Sequence, residues 1–523
     1  MSYQPVPLQE TVPPLPPPKQ HPTQQPISAP ASGRFVPTHK YGPSASGQHE
    51  SYLPGPGGQS RRHSDHSAVS GSSGMHSKQG VADPMGWGAM TGGPEDDDYM
   101  HNPDPKNDKK VPLISNFPTV IDKDTPQDAM SRKGFDGEDY NLVFSDEFEK
   151  DGRTFFPGDD PYWTAVDLHY WPTGDGKLVI TMTQEPIHDL NYKSGMLQSW
   201  NQMCFQYSVY IEVAVSLPGT NTVGGFWPGV WMMGNLGRPG YGASTEGTWP
   251  YTYDSCDIGT LRNQTTADGT GPIAALTSGR NDGPISFLPG QRLSACTCKG
   301  EDHPGPDVSY GRGVPEIDIL EGQIDLSVQR GQVSQSCQVA PFDERYQYLN
   351  TTKGGVQYDT DMTLWNSYLG GVYQEAVSSL TYVDNANYVN TGGQFGVYGF
   401  EYYADPNARD KGHITWVANG KKTWTMYPAA IGPSDSMKIG QRLITEEPMA
   451  MTVDFAHLQT PAEMLVDYVR VYQRPEGKLG CDPKDRPTAD YIERHLNAYS
   501  NPNLTTWDAA GYTFPKNSLI DHC

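Results

Sequence analysis

The sequence predicts one large all-β sandwich or barrel with long loops, preceded by a disordered tail, and three observations carry that prediction. The first is a break in composition. Residues 1 to about 100 hold 16 of the 46 prolines and six of the 14 histidines, with many Ser, Gly and Gln and no long apolar run. Such a stretch cannot bury enough apolar surface to offset its ordering entropy. The second is a series of short β-rich runs from about residue 140 onwards, several of which alternate apolar with polar residues. The third is the punctuation of those runs by Gly, Pro, Asn and Asp, with little helical periodicity between them. Many short strands over some 340 residues favour a β-sandwich or barrel over an α/β fold.

Taken in order, residues 1–110 read as a Pro/Ser/Gly-rich tail. It contains Pro13-Pro-Leu-Pro-Pro-Pro18, a polyproline-type run that suits a solvated spacer or, as the alternative, an SH3-like or trafficking partner, and Arg61-Arg-His-Ser64, which has the form of a basophilic kinase site but also of a string common in disordered tails. An acidic junction follows (Glu95-Asp-Asp-Asp98, then Asn102-Pro-Asp-Pro105 and Lys109-Lys110), and residues 111–139 read as a linker. The sandwich is assigned to residues 140–475. Its strand candidates are Tyr140-Asn-Leu-Val-Phe144, Lys177-Leu-Val-Ile-Thr-Met182, Tyr207–Ser216, Ile414-Thr-Trp-Val417 and Met464–Tyr472. Residues 239–310, rich in Gly, Thr and Pro, read as long loops of the kind that rim a binding cleft. Residues 476–523 form a C-terminal extension packed on the domain or trailing from it.

A net charge of −23, concentrated downstream of the tail, excludes the basic surface that nucleic-acid binding needs. All seven cysteines and the three Asn-X-Ser/Thr sequons at Asn263, Asn350 and Asn503 lie downstream too, which points to an oxidising lumenal or extracellular compartment with disulfides. An odd cysteine count leaves at least one thiol outside such bridges. No Cys-X-X-Cys pair or His cluster has zinc-site spacing, so neither metal nor cofactor is expected. Against the compartment signal, the N-terminus lacks a signal-peptide pattern and no run of 18 apolar residues is present.

The strongest chemical signal is Glu316-Ile-Asp-Ile-Leu-Glu321, three acids in an otherwise apolar strand. In an extended segment Glu316 and Asp318 share one face, while Ile317 and Ile319 point into a core. Glu321 is one residue out of phase. A β-bulge near Ile319-Leu320 brings all three acids to one side. Closely spaced acids of this kind suit glycosidic bond cleavage or transfer, where one carboxyl is ionised while another is protonated. Taken alone, the string also suits a charged solvated strand or a cation loop. Its Ile and Leu residues fit a core-backed strand better than a calcium loop, and Gly311, Gly313 and Gly322 suit close backbone approach.

Aromatic residues add context. Trp227 and Trp231, in Gly224-Gly-Phe-Trp-Pro-Gly-Val-Trp-Met-Met233, fall on one strand face, and Trp200, Trp249, Tyr251, Tyr253, Trp365 and Trp416 add flat surfaces. Any single Trp is more readily a core residue, but a glycan cleft uses several such rings against the C–H faces of sugars. With these motifs the chain resembles glycoside hydrolase family 16, the laminarinase-like, concanavalin-like β-jelly rolls. More closely it is similar to the fungal branch required for cell-wall β-1,6-glucan synthesis. The motifs are Ser194-Gly-Met-Leu-Gln-Ser-Trp200, Gly225-Phe-Trp-Pro-Gly-Val-Trp231, the acid string with Gly311-Arg-Gly-Val-Pro315 before it, Tyr398-Gly-Phe-Glu-Tyr402 and Val466-Asp-Tyr-Val-Arg-Val-Tyr472. They run in the family's order over residues 140–475. Asp97-Asp-Tyr-Met-His-Asn-Pro-Asp-Pro105 is similar to that branch's pre-membrane region.

The resemblance implies a β-jelly-roll sandwich with Glu316 as nucleophile, Glu321 as general acid/base and Asp318 as the assisting carboxylate. It implies Trp200, Trp227 and Trp231 as substrate-binding residues, a β-glucan substrate, and a lumenal or extracellular domain anchored in the secretory pathway or plasma membrane. Two departures accompany it. Lys109-Lys110 passes to Val111-Pro-Leu-Ile-Ser115 where the branch carries a spanning helix, and Trp171-Pro-Thr-Gly174 meets Asp175-Gly-Lys177 where it carries a longer stretch. The functional expectation is a glucan hydrolase or transglycosylase of wall assembly; the alternative is a non-catalytic glucan-binding or assembly factor.

Overall fold

Two antiparallel sheets lie face to face because each has one row of apolar side chains to bury. A computed structural model describes residues 120–166, 173–186, 191–457 and 461–523. The expected tail over 1–110 and the Lys110–Val111 junction lie outside the described residues. One sheet runs, edge to edge, Ser131–Lys133, Asp139–Asp146, Ala462–Gln473, Ser208–Ser216, Gly396–Tyr403, His413–Ala418, Lys421–Met426 and Gly355–Gln357, with Leu178–Met182 also paired to Ala462–Gln473. The other runs Thr363–Trp365, Gln374–Tyr382, Arg330–Val339, Glu316–Asp325, Phe226–Gly234, Met449–His457, Met196–Gln198 and Thr164–Val166. The sandwich expected from the sequence is therefore present, and each strand candidate overlaps a strand, with Lys177 and Tyr207 just outside theirs.

The core between the sheets follows the period-two pattern of the strands. Val230, Met232, Ile317, Leu320, Met451 and Val453 point inwards from the second sheet to meet Val209, Ile211, Phe400, Trp416 and Trp424 of the first. Trp416 and Trp424 stack with ring centroids 4.2 Å apart. The sheet begins earlier than the linker boundary at 139 implied. Ser131–Lys133 pairs with Asp139–Asn141 as an edge strand, and three polar residues gave no apolar alternation by which to recognise it. Between Thr173 and Leu178 the chain closes a tight turn, with reciprocal Gly174–Lys177 backbone bonds of 3.0 and 3.2 Å. Among the described residues no helix is long and apolar enough to cross a membrane.

Between Phe226–Gly234 and Glu316–Asp325 the expected loop region contains only short helical turns, including Gly242–Thr245 and Ile273–Thr277. It packs with the C-terminal extension into a second apolar cluster against the outer face of the second sheet. Trp231, Met233, Trp249, Leu293 and Val314 meet Tyr491, Ile492, Tyr499 and Trp507 there. Each fully buried side chain of this size contributes about 1.5–3 kcal/mol, so residues 476–523 are packed on the domain rather than trailing from it. Disulfides Cys204–Cys481 and Cys298–Cys523 tie the extension down, and Cys256–Cys296 closes the loop region. The odd thiol is Cys337, buried in the core. A Cys204→Ala/Cys481→Ala double variant is expected to lose about 2–4 kcal/mol of stability in urea denaturation, and a reductant, which opens all three bridges, is expected to cost the parent protein more.

Candidate active site

The geometry of the acids is set by the backbone of the strand that carries them. Asp318 and Glu321 lie opposite Ser336 and Ser334 of the neighbouring strand, so three steps on one strand match two on the other. On the opposite side Leu320 and Asp318 pair with the consecutive residues Val230 and Trp231. Ile319 is the extra residue, a bulge where the sequence required one. As a result Ile317, Ile319 and Leu320 all enter the core, while Glu316, Asp318 and Glu321 share the outer face.

A bulge leaves backbone groups outside the ladder, and buried groups of that kind need partners. Trp416 Nε1 donates to the Asp318 carbonyl at 2.8 Å, and Gln335 Nε2 donates to the Ile319 carbonyl at 3.2 Å. Gln335 is itself held by Thr423, whose hydroxyl donates to its Oε1 at 2.7 Å. At the start of the strand, Arg312 binds Glu447 through two 2.7 Å bonds and donates to the carbonyls of Gly305 and Pro487. Gly311 and Gly313 lie so close to Tyr253 and Tyr251 that an added Cβ would stand 2.0 and 2.1 Å from their carbonyl oxygens. These are the close approaches the flanking glycines implied.

Each acid has a neutral donor. Trp249 Nε1 donates to Glu316 Oε2 at 2.7 Å, and Trp227 Nε1 donates to Glu321 Oε1 at 3.1 Å. Ser336 Oγ and Gln338 Nε2 donate to Asp318 Oδ2 at 2.7 and 3.1 Å. Glu316 Oε1 and Asp318 Oδ1 are buried with no donor of their own. The two carboxyls interact with each other, an arrangement that calls for a proton between them. Glu316 and Asp318 are wholly buried and Glu321 is 7% exposed.

Burial, reinforced by the charges of Asp318 and Glu321, pushes the Glu316 carboxyl well above the ordinary range. Burial, with the charges of Asp318 and Asp454, does the same to Glu321. Asp318 is raised to about 6 by burial, against the donors Ser336 and Gln338. Such a cluster titrates as one coupled system and holds protons at neutral pH.

Of the three tryptophans, Trp227 is 36% exposed and donates to Glu321 from an open position. Trp231 shares its strand face, as expected, but is 1% exposed; its indole donates to Asp454 Oδ1 at 3.0 Å, so it acts through that acid and offers no open ring. Trp200 lies in the wall built by the C-terminal extension. It stacks on Tyr499 at 5.6 Å and donates to the Asn235 carbonyl at 3.0 Å. Sequence reasoning missed the roles of Trp249 at Glu316 and of Asp454. The signal for Asp454 was an acid between inward-facing Val453 and Phe455 in a strand otherwise free of charge. Elsewhere, among the described residues, Asp136, Glu401 and His413 bring possible metal-ligand atoms within 4.8 Å. Their carboxylates are already taken, Glu401 by the Phe135 and Asp136 N–H groups and Asp136 by Tyr140 and Arg474.

A family model described as beta-glucan synthesis-associated protein SKN1/KRE6/Sbg1 matches residues 106–523. A Saccharomyces cerevisiae relative named beta-glucan synthesis-associated protein KRE6 is 44% identical over 79% of this chain and 58% of its own length. A Candida albicans relative named beta-glucan synthesis-associated protein SKN1 is 43% identical over 80% of this chain and 58% of its own. The chain thus spans well under two thirds of the length of these curated relatives. Among solved structures, an endo-beta-1,3-glucanase from Pyrococcus furiosus overlaps 67% of this chain and 98% of its own at 16% identity, with a TM-score of 0.37.

Because the folded cluster holds protons that the unfolded chain releases above its ordinary carboxyl range, stability falls as pH rises. The Asp318 share is lost between about pH 4 and 6, and the Glu316 and Glu321 shares at higher pH. Glu316→Gln, which removes one of these groups, is expected to give a shallower fall in urea midpoint from pH 5 to 8 than the parent shows; parallel curves refute this account.

Proposed function

Because the chain belongs to the beta-glucan synthesis-associated family SKN1/KRE6/Sbg1, we propose that its sandwich domain is a β-glucan-active glycosidase or transglycosylase of fungal cell-wall β-1,6-glucan assembly. The observation that supports this reading best is the bulge that turns Glu316, Asp318 and Glu321 to one face and leaves two of their oxygens without donors. A pure binding surface has no use for three buried acids, which destabilise the fold unless paired.

In the proposed cycle Asp318 takes the shared proton, leaving Glu316 ionised to attack the anomeric carbon. Glu321, kept protonated by burial and by its acidic neighbours, gives its proton to the departing glycosidic oxygen. The now ionised Glu321 then takes a proton from water or from a sugar hydroxyl, whose oxygen displaces Glu316. Water gives hydrolysis and a hydroxyl gives transfer, from the same covalent intermediate. Trp227, exposed beside Glu321, provides a ring face for the sugar next to the scissile bond. The three disulfides support a lumenal or extracellular setting for the domain. Membrane association, and trafficking partners for the tail, belong to the same reading.

One observation favours the second reading, a glucan-binding assembly factor: Glu316 has no exposure and its Oε2 is held by Trp249. The catalytic reading requires that indole to give way when glucan enters. With purified protein and β-1,3- and β-1,6-gluco-oligosaccharides, Glu316→Gln is expected to abolish hydrolysis and transfer while oligosaccharide Kd changes less than threefold. Glu321→Gln is expected to slow turnover by about 10²–10⁴-fold. A parent protein that binds these glucans but neither hydrolyses nor transfers them establishes the binding role instead.

A further inference from the structure

We propose that Asp454 is a positioning residue of this centre, a fourth carboxyl that acts on Glu321 across the glycine of the strand between them and favours its protonated form. The inference rests on the catalytic reading above for its consequence in turnover, but not for its effect on Glu321 itself.

The placement comes from register. Gly229 on Phe226–Gly234 pairs with Glu321 on one side and with Asp454 of Met449–His457 on the other. The three residues therefore form a row across the sheet, on the face that carries the acids. The middle member has no side chain. A Cβ added at Gly229 would stand 2.5 Å from Asp454 Oδ1 and 3.4 Å from Trp231 Cδ1, so the Asp454 carboxyl occupies the space the glycine leaves. Trp231 Nε1, donating at 3.0 Å, fixes it there. Glu321 is fixed across the same gap by Trp227 Nε1 at 3.1 Å. Two tryptophans from one strand thus hold two acids on either side of the glycine between them.

What faces the pair decides the sign of the effect. From the acid strand Asp318 acts on both acids, and Glu321 in turn acts on Glu316. Ser336 reaches Glu321 from the next strand, and Tyr368 stands near it from the loop beyond. Met196, from the strand on the far side, pairs with Asp454 and carries no charge. Among the described residues no Lys or Arg pairs with either acid. Negative charge on Asp454 therefore meets no local counter-charge and acts on Glu321 to retain its proton. Asp454 is itself raised to about 7 by burial, against the Trp231 donor. It loses its proton close to neutral pH, so its influence on Glu321 switches on in that range.

Asp454→Asn keeps an acceptor for Trp231 and removes the charge, which separates the two roles. The test follows the infrared band of protonated carboxyl against pH in the parent, in Glu321→Gln, which identifies the Glu321 component, and in Asp454→Asn. The expected result is a midpoint for that component about one pH unit lower in Asp454→Asn. Asp454→Glu, which retains the charge, is expected to leave it near the parent value. In glucan turnover the alkaline limb of kcat/KM moves down by the same amount, with KM at acid pH within twofold. An unchanged infrared midpoint in Asp454→Asn overturns the proposal whatever the turnover shows. A raised KM with an unchanged midpoint makes Asp454 a substrate contact instead. A shifted midpoint in a protein without turnover upholds the proposal and rejects the catalytic reading alone.

Discussion

A single extra residue, Ile319, is the constraint on which the site depends. Without the bulge that accommodates it the strand alternates strictly through Ile319, and Glu321 faces the apolar core, where its burial without a partner costs several kcal/mol. With it, three acids and three apolar residues separate cleanly to opposite faces. The bulge in turn requires donors inside the core, because its carbonyls no longer meet the ladder. Trp416 and Gln335 supply them. The polar residues within the sandwich are thus part of the site's construction, although they lie on the other side of the sheet from the acids.

The outer face of that sheet is built from distant parts of the chain. The loop region brings Trp249 to Glu316, and the C-terminal extension packs Tyr491, Tyr499 and Trp507 behind it. Arg312 joins both to the start of the acid strand through the Gly305 and Pro487 carbonyls. Trp507 is also covered by the Arg292 guanidinium, 3.7 Å from its ring centroid, a contact that stabilises where the cation is desolvated. The extension therefore supports the wall of the site as well as closing the domain. Cys204–Cys481 ties that wall to the sheet, and Cys298–Cys523 ties it to the loop region.

Much of this was legible in the residues, for identifiable reasons. The strands were visible because period-two alternation survives wherever one face is buried, as in Tyr140–Phe144 and Met464–Tyr472. The bulge was visible because three acids in an apolar strand admit only one arrangement that spares them all from the core. Ser131–Lys133 was not visible, since an edge strand of three polar residues carries no pattern. Nor was the fate of Trp231, because spacing assigns a face but not the depth at which neighbouring segments cover it. Asp454 escaped notice because its meaning depends on register with Gly229, a pairing between residues 225 positions apart.

The donors to the four acids are three indoles, a hydroxyl and an amide. Elsewhere in the domain buried carboxylates are matched by cations, as Asp146 and Asp160 are by Arg153, and Glu375 by Arg442. A guanidinium pins its partner in the ionised state; an indole N–H binds a carboxyl in either state. The frame of the site is therefore rigid in position yet indifferent to how many protons it contains. It behaves as a small buffer whose proton content answers to pH, while the donors that hold it stay the same.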